Sequence, residues 1–128
     1  MNRYTLLPTF LLSLIFSSPS YSEWAWLNEG VDGTTFYVDL ERIRKQDGYV
    51  YWRELQDSLK PDKDGDLSYK LFNQGDCKLF RYKTLTAVYY KEPMGGGTGN
   101  TFTPKNPEWI YPSPDTSSQS ILKFVCNR

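Results

Sequence analysis

From residue 34 to residue 90 apolar and polar positions alternate in runs with a period of two, the pattern of strands that bury one face. Upstream, residues 23–27 (EWAWL) open a short strand, and residues 28–33 (NEGVDG) are dense in turn formers. Residues 34–40 place Phe36, Val38 and Leu40 on one face, and residues 39–43 have the length of a single helical turn. Asp47-Gly48 is a hairpin signal between two such runs. In residues 49–58, Val50 and Trp52 oppose Tyr49, Tyr51 and Arg53, so burial of the first pair turns the other three outward. A second turn is built on Asp64-Gly65, after which Leu67, Tyr69 and Leu71 alternate with Ser68, Lys70 and Phe72. Asn73-Gln74-Gly75 leads into the longest β-like run, residues 76–90. There Cys77 and Leu79 share a face with Arg81 and Lys83, which predicts a bulge or an edge position.

Beyond residue 92 the pattern changes. Residues 93–107 hold Gly95, Gly96, Gly97, Gly99 and three prolines, predicting a long, mobile loop. Trp109-Ile110-Tyr111 makes one more short strand. Ser113-Pro114-Asp115 reads as an N-cap, a proline at the first helical position and an acid in the first turn. The helix it opens runs to about Cys126, with Ile121, Leu122 and Val125 as its apolar stripe. Sheet first and one helix last predict an α+β domain: an antiparallel β-sheet of about five or six strands with a C-terminal helix.

The first 22 residues have a different organisation. One positive charge at Arg3 precedes an apolar stretch over residues 6–16, followed by Ser17-Ser18-Pro19-Ser20-Tyr21-Ser22 with small residues at Ser20 and Ser22. That order predicts a secretory signal peptide over residues 1–22, cut before Glu23, and a single domain over residues 23–128. A membrane span needs about 20 apolar residues, more than this stretch supplies. No cysteine lies near the junction, so no lipid anchor is expected. The expected location is the periplasm or the extracellular space.

Export changes the reading of the two cysteines. Cys77 and Cys126 stand 49 residues apart, with no C-x-x-C spacing and no histidine to activate a thiol. Outside the cytosol such a pair is most simply a structural disulfide, here pinning the helix to the strand that carries Cys77. A loop of that size is worth about 4 kcal/mol in the chain-entropy model. The chain contains 15 Lys+Arg and 15 Asp+Glu; loss of Arg3 leaves 14 against 15, a net of −1. That balance argues against a nucleic-acid partner. The absence of histidine removes Ser-His and Cys-His catalysis and His-ligated metals.

Four constellations carry weaker chemistry. Asp62, Asp64, Asp66 and Ser68 alternate like oxygen ligands of a calcium loop, but Gly65 is fourth and Asn73 twelfth, where an EF-hand needs glycine sixth and glutamate twelfth. A solvated hairpin turn accounts for them, and no metal or cofactor is expected. The glycine run at residues 95–99 lacks the Gly-Lys-Ser/Thr ending of a phosphate loop. Glu54, Asp57, Asp76 and Glu108 are available for paired-carboxylate hydrolysis, but nothing in their spacing sets two across a cleft, and no enzyme activity is expected. Lys78, Arg81 and Lys83 interleave with Phe80 and Tyr82, a base-stacking pattern that fits poorly with a net charge of −1. What remains is an aromatic share of 16%. Tyr and Arg dominate protein-binding hot spots, so Tyr49, Tyr51 and Arg53, with Phe80 and Tyr82, form the candidate protein-binding set. Ordinary cross-strand packing is the competing role for these rings.

Several short elements, in order and spacing, resemble the Surface-adhesin protein E family of bacterial exported proteins. They are Trp24; Tyr37-Val38-Asp39-Leu40 with Ile43; Val50-Tyr51-Trp52; Ser68-Tyr69-Lys70; Asp76-Cys77 with Arg81; Trp109-Ile110-Tyr111-Pro112; and Cys126 near the end. The resemblance implies an antiparallel sheet with a C-terminal helix tied to it by the disulfide. It further implies binding of host matrix and serum proteins such as vitronectin and laminin, from a lipid-anchored position that this chain, with no lipobox cysteine, does not match. The expectation is an exported, non-enzymatic bacterial envelope protein that binds another protein or peptide, adhesin-like. The alternative is a soluble periplasmic accessory or inhibitor protein acting on a cell-envelope enzyme.

Overall fold

The computed structural model describes residues 24–128, so the signal peptide expected over residues 1–22 lies outside the described residues. Seven strands form one antiparallel sheet: β1 (Trp24–Glu29), β2 (Thr35–Asp39), β3 (Arg44–Gln46), β4 (Tyr49–Asp57), β5 (Ser68–Asp76), β6 (Arg81–Tyr90) and β7 (Asn100–Phe102). Their spatial order is β1-β2-β4-β5-β6-β7, with short β3 pairing β4 beside β2. The helix α1 (Ser117–Cys126) follows, giving the α+β class expected from the pattern. No helix among the described residues is long and apolar enough to cross a membrane.

β4 shows how the sequence sets the two faces. Val50, Trp52 and Glu54 point to the side covered by α1, whereas Tyr49, Tyr51 and Arg53 point away. Val38, Val50 and Trp52 pack with Ile121, Leu122 and Val125 of the helix as the core cluster. The helix approaches the sheet where β5 has no side chain. A Cβ on Gly75 would lie 2.9 Å from Leu122, from Trp52 and from Val50, so only glycine permits this packing. Cys77 and Cys126 are bonded, which fixes the C-terminal end of α1 to the sheet.

Four local expectations are corrected. The β-like run over residues 76–90 is broken: β5 ends at Asp76, and residues 77–80 turn the chain back into β6. Asn73, Gln74 and Gly75 lie inside β5, so Cys77 sits in a turn and Leu79 is exposed. The turn contains no glycine or proline. The Asp76 carboxylate builds it by accepting from the backbone N–H groups of Lys78 and Leu79, and Phe80 takes a left-handed conformation at φ 53°. The helix starts later than Ser113. Thr116 is its N-cap, accepting from the Gln119 N–H, and Asp115 is left-handed at φ 62°.

The glycine-rich segment is the third. Met94 N–H donates to Asp57 at 2.6 Å, Gly95 N–H donates to the Ser68 hydroxyl at 2.8 Å, and that hydroxyl donates to the Glu92 carbonyl. These bonds tie a 3₁₀ turn (Pro93–Gly95) to β4 and β5, and the chain then adds β7 to the edge of β6. Fixed bonds replace the free loop that composition suggested. Trp109-Ile110-Tyr111 contributes a single bridge, Ile110 to Tyr82, in place of a strand.

Candidate functional site

The face of the sheet that points away from α1 carries a ladder of rings and cations. Cross-strand partners share a face, so the register places Arg44, Tyr51, Gln74 and Lys83 in one row across β3, β4, β5 and β6. The next row sets Arg53 opposite Phe72. The Arg53 guanidinium lies 5.0 Å from the Phe72 ring centre, and Tyr51 stacks on the same ring at 6.2 Å. Farther along, Tyr49 stacks on Trp109 at 5.9 Å, and Trp109 also lies under Arg81 at 4.3 Å and Lys83 at 4.4 Å. The 3₁₀ turn after β6 packs at one end of the face and Trp109 at the other. Arg53 between them is exposed.

Tyr49, Tyr51 and Arg53 thus stand together on one surface. Phe80 and Tyr82 do not join them. Tyr82 points to the helix side, 6.5 Å from Trp52, with its hydroxyl donating to Ser118. Phe80, in the turn before β6, also packs against the core. Trp109 and Phe72 complete the face and were absent from the candidate set. Register is the missing signal: alternation had placed Phe72 opposite Leu71, but only the β4–β5 pairing brings it under Arg53. Trp109 arrives from a segment with no periodicity at all.

The acids of the sheet have other roles, Glu54 on the helix side and Asp76 and Asp57 on the open side. Glu54 is buried on the helix-side face and its carboxylate accepts from Trp52 Nε1 at 3.1 Å, Asn73 Nδ2 at 3.1 Å and Gln56 Nε2 at 2.7 Å. Thr84 donates to Asn73 in turn, extending the network to β6. Burial raises the Glu54 pKa, against the pull of its three donors. Asp76 behaves in the opposite sense: the Leu79 amide and the Arg81 guanidinium, 2.9 Å away, lower it. Asp57 anchors Met94.

Asp62, Asp64 and Asp66 bring their carboxylates within 4.8 Å of one another. Protein groups already serve them. Asp62 accepts from the Tyr69 hydroxyl at 2.5 Å and from the backbone of Asp64 and Asp66, and Lys91 Nζ reaches Asp66 at 3.0 Å. A loop closed on itself by its own amides, with an ammonium against it, is the hairpin turn that the sequence implied. An open cleft of about 1110 Å³ lies between residues 28–34 and the start of α1, lined by Phe36, Gln56 and Tyr69. Four acids are among its lining residues, Glu29, Asp32, Asp62 and Asp115.

The family model described as Surface-adhesin protein E matches residues 24–127. Solved structures of Haemophilus influenzae protein E share the fold. One crystal form is 17% identical, with a TM-score of 0.60, covering 85% of this chain and 92% of that one. A selenomethionine form is 16% identical, with a TM-score of 0.61, covering 86% and 90%. Protein E from a non-typeable strain is 17% identical, with a TM-score of 0.55, covering 99% and 85%. No curated protein matches by sequence.

Proposed function

The chain belongs to the Surface-adhesin protein E family, and from that premise we propose that it is an exported, non-enzymatic envelope protein that binds another protein through the open sheet face. The observation that carries this reading is the exposed Arg53 held over Phe72 beside Tyr51, rings and cation arranged for contact on the side the helix leaves bare. Aromatic rings with a preset arginine lose little conformational entropy on binding and are typical interface anchors. Covalent closure of Cys77 with Cys126 fits folding in an oxidising compartment, which the signal peptide over residues 1–22 would supply.

The test has two parts. Protease shaving of intact cells reads surface display, and immobilised vitronectin and laminin read adhesion by the purified mature chain. Display with saturable binding, weakened about tenfold by Tyr51→Ala, is the expected result. Recovery only as soluble periplasmic protein, with no binding to either ligand, would remove the adhesin reading and favour an accessory or inhibitor role.

A further inference from the structure

The open face has a charge asymmetry that narrows the class of partner. Among the described residues the ion pairs are Arg42–Asp39, Arg81–Asp76 and Lys91–Asp66, and none involves Arg44, Arg53 or Lys83. Those three cations all stand on the helix-free face, Arg44 and Arg53 exposed and Lys83 half-buried. Acids of this face have other partners: Asp76 pairs with Arg81, Asp39 pairs with Arg42, and Asp57 accepts from the Met94 amide. Two of these cations are also held in place. Arg53 rests on Phe72 and Lys83 on Trp109, so the rings fix side chains that would otherwise sample many rotamers. Cations fixed over rings, without counter-ions, form a surface waiting for negative charge.

Their spacing favours one shape of anion. Arg44 and Lys83 end the row that runs through Tyr51 and Gln74, and Arg53 stands on the neighbouring row. Adjacent rows on one face of a sheet are about 7 Å apart, which is also the distance between alternate side chains of an extended peptide. A sulfated glycan calls for a continuous file of close cations, whereas here Tyr51 and Gln74 separate those in the row. Resting on the protein-binding reading above, we propose that this face takes an extended acidic segment of the partner protein. Carboxylates on alternate residues meet Arg53 on one row and Arg44 or Lys83 on the next, and Tyr51 and Phe72 receive the apolar atoms between them.

The probe is a synthetic peptide of alternating Glu and Thr, titrated into the full mature chain and followed by NMR, beside its Gln-for-Glu counterpart and a heparin oligosaccharide. Expected are shifts confined to the open face, and affinity lowered about tenfold by the Arg53→Gln, Lys83→Gln double variant. Added salt should weaken binding as well. Lys60→Gln, a cation on the rim of the helix-side cleft, should change nothing. Equal binding of the Gln peptide, or binding of heparin alone, would overturn the inference. A partner protein that still binds the double variant but loses Tyr51→Ala would overturn it too, while leaving the face as the binding surface. If Tyr51→Ala also binds normally, the reading beneath it fails.

Discussion

The two faces of β4 satisfy their residues in different ways. On the helix side, Val50 and Trp52 are 1% exposed, and even the one charged group, Glu54, has three donors aimed at it. On the open side Tyr49 stacks on Trp109, Tyr51 and Arg53 share the Phe72 ring, and Arg53 remains exposed. Residues 49–54 of one strand therefore meet two different environments at alternate positions, while Leu55, next on the open side, is buried. The lesson concerns polar groups as much as apolar ones: a polar residue whose needs are met inside the protein is structural, and one left with capacity is available to a partner.

The largest effects should come from the helix side. Trp52→Ala empties the centre of the core and removes a donor from the buried Glu54, so a loss of about 5 kcal/mol is expected in urea unfolding. A loss below about 1 kcal/mol would mean that the core does not depend on this ring. Replacing Cys77 and Cys126 together by alanine should cost about 4 kcal/mol, read the same way, because it frees the end of α1 from the sheet. Vitronectin or laminin binding by whichever fraction stays folded should be unchanged by either alteration.

Much of the helix side was legible in the sequence because period-two alternation and the stripe Ile121, Leu122, Val125 are local signals, read within one element. The disulfide was legible because two cysteines leave a single pairing. The turn at residues 77–80 was hidden, since its cause is the Asp76 side chain, which folds onto two amides without any glycine to advertise it. The glycine-rich segment misled for the converse reason. Its composition suggested freedom, but Asp57 and Ser68, distant in sequence, supply its bonds. The open face was half legible: Tyr49, Tyr51 and Arg53 follow from alternation, whereas Phe72, Lys83 and Trp109 join them through strand register and a returning loop.

Acids on the two sides should respond to pH with opposite signs. The Glu54 pKa is raised in the folded state above its ordinary 4.5, so the native protein holds a proton that the unfolded chain has released. Stability should therefore fall as pH climbs from about 4.5 through the folded value. Glu54→Gln should flatten that slope in unfolding curves between about pH 4 and 8; an unchanged slope would show that Glu54 is not its source. Asp76 has its pKa lowered from 3.8, so its contribution is present above that value and is lost as pH falls through the folded one. Asp76→Asn should blunt the acid limb alone, leaving the slope above pH 4.5 in place.

The smallest effect on stability belongs to Arg53→Ala, and it decides the comparison. The guanidinium is exposed, has no ion pair and touches Phe72 from the solvent side, so its removal forfeits only a surface cation–π contact. Such a contact is worth about 0.5 kcal/mol, within the range of ordinary surface substitutions. The unfolding midpoint should scarcely move. Binding through the open face should nevertheless weaken about tenfold, a change of about 1.4 kcal/mol taken from a residue that folding hardly uses. Had Arg53 been placed to hold the sheet together, the two numbers would rank the other way, with a stability loss above about 1.5 kcal/mol and binding affected only through unfolding. That ranking would return Arg53, Tyr51 and Phe72 to cross-strand packing and make the two faces of β4 alike in purpose.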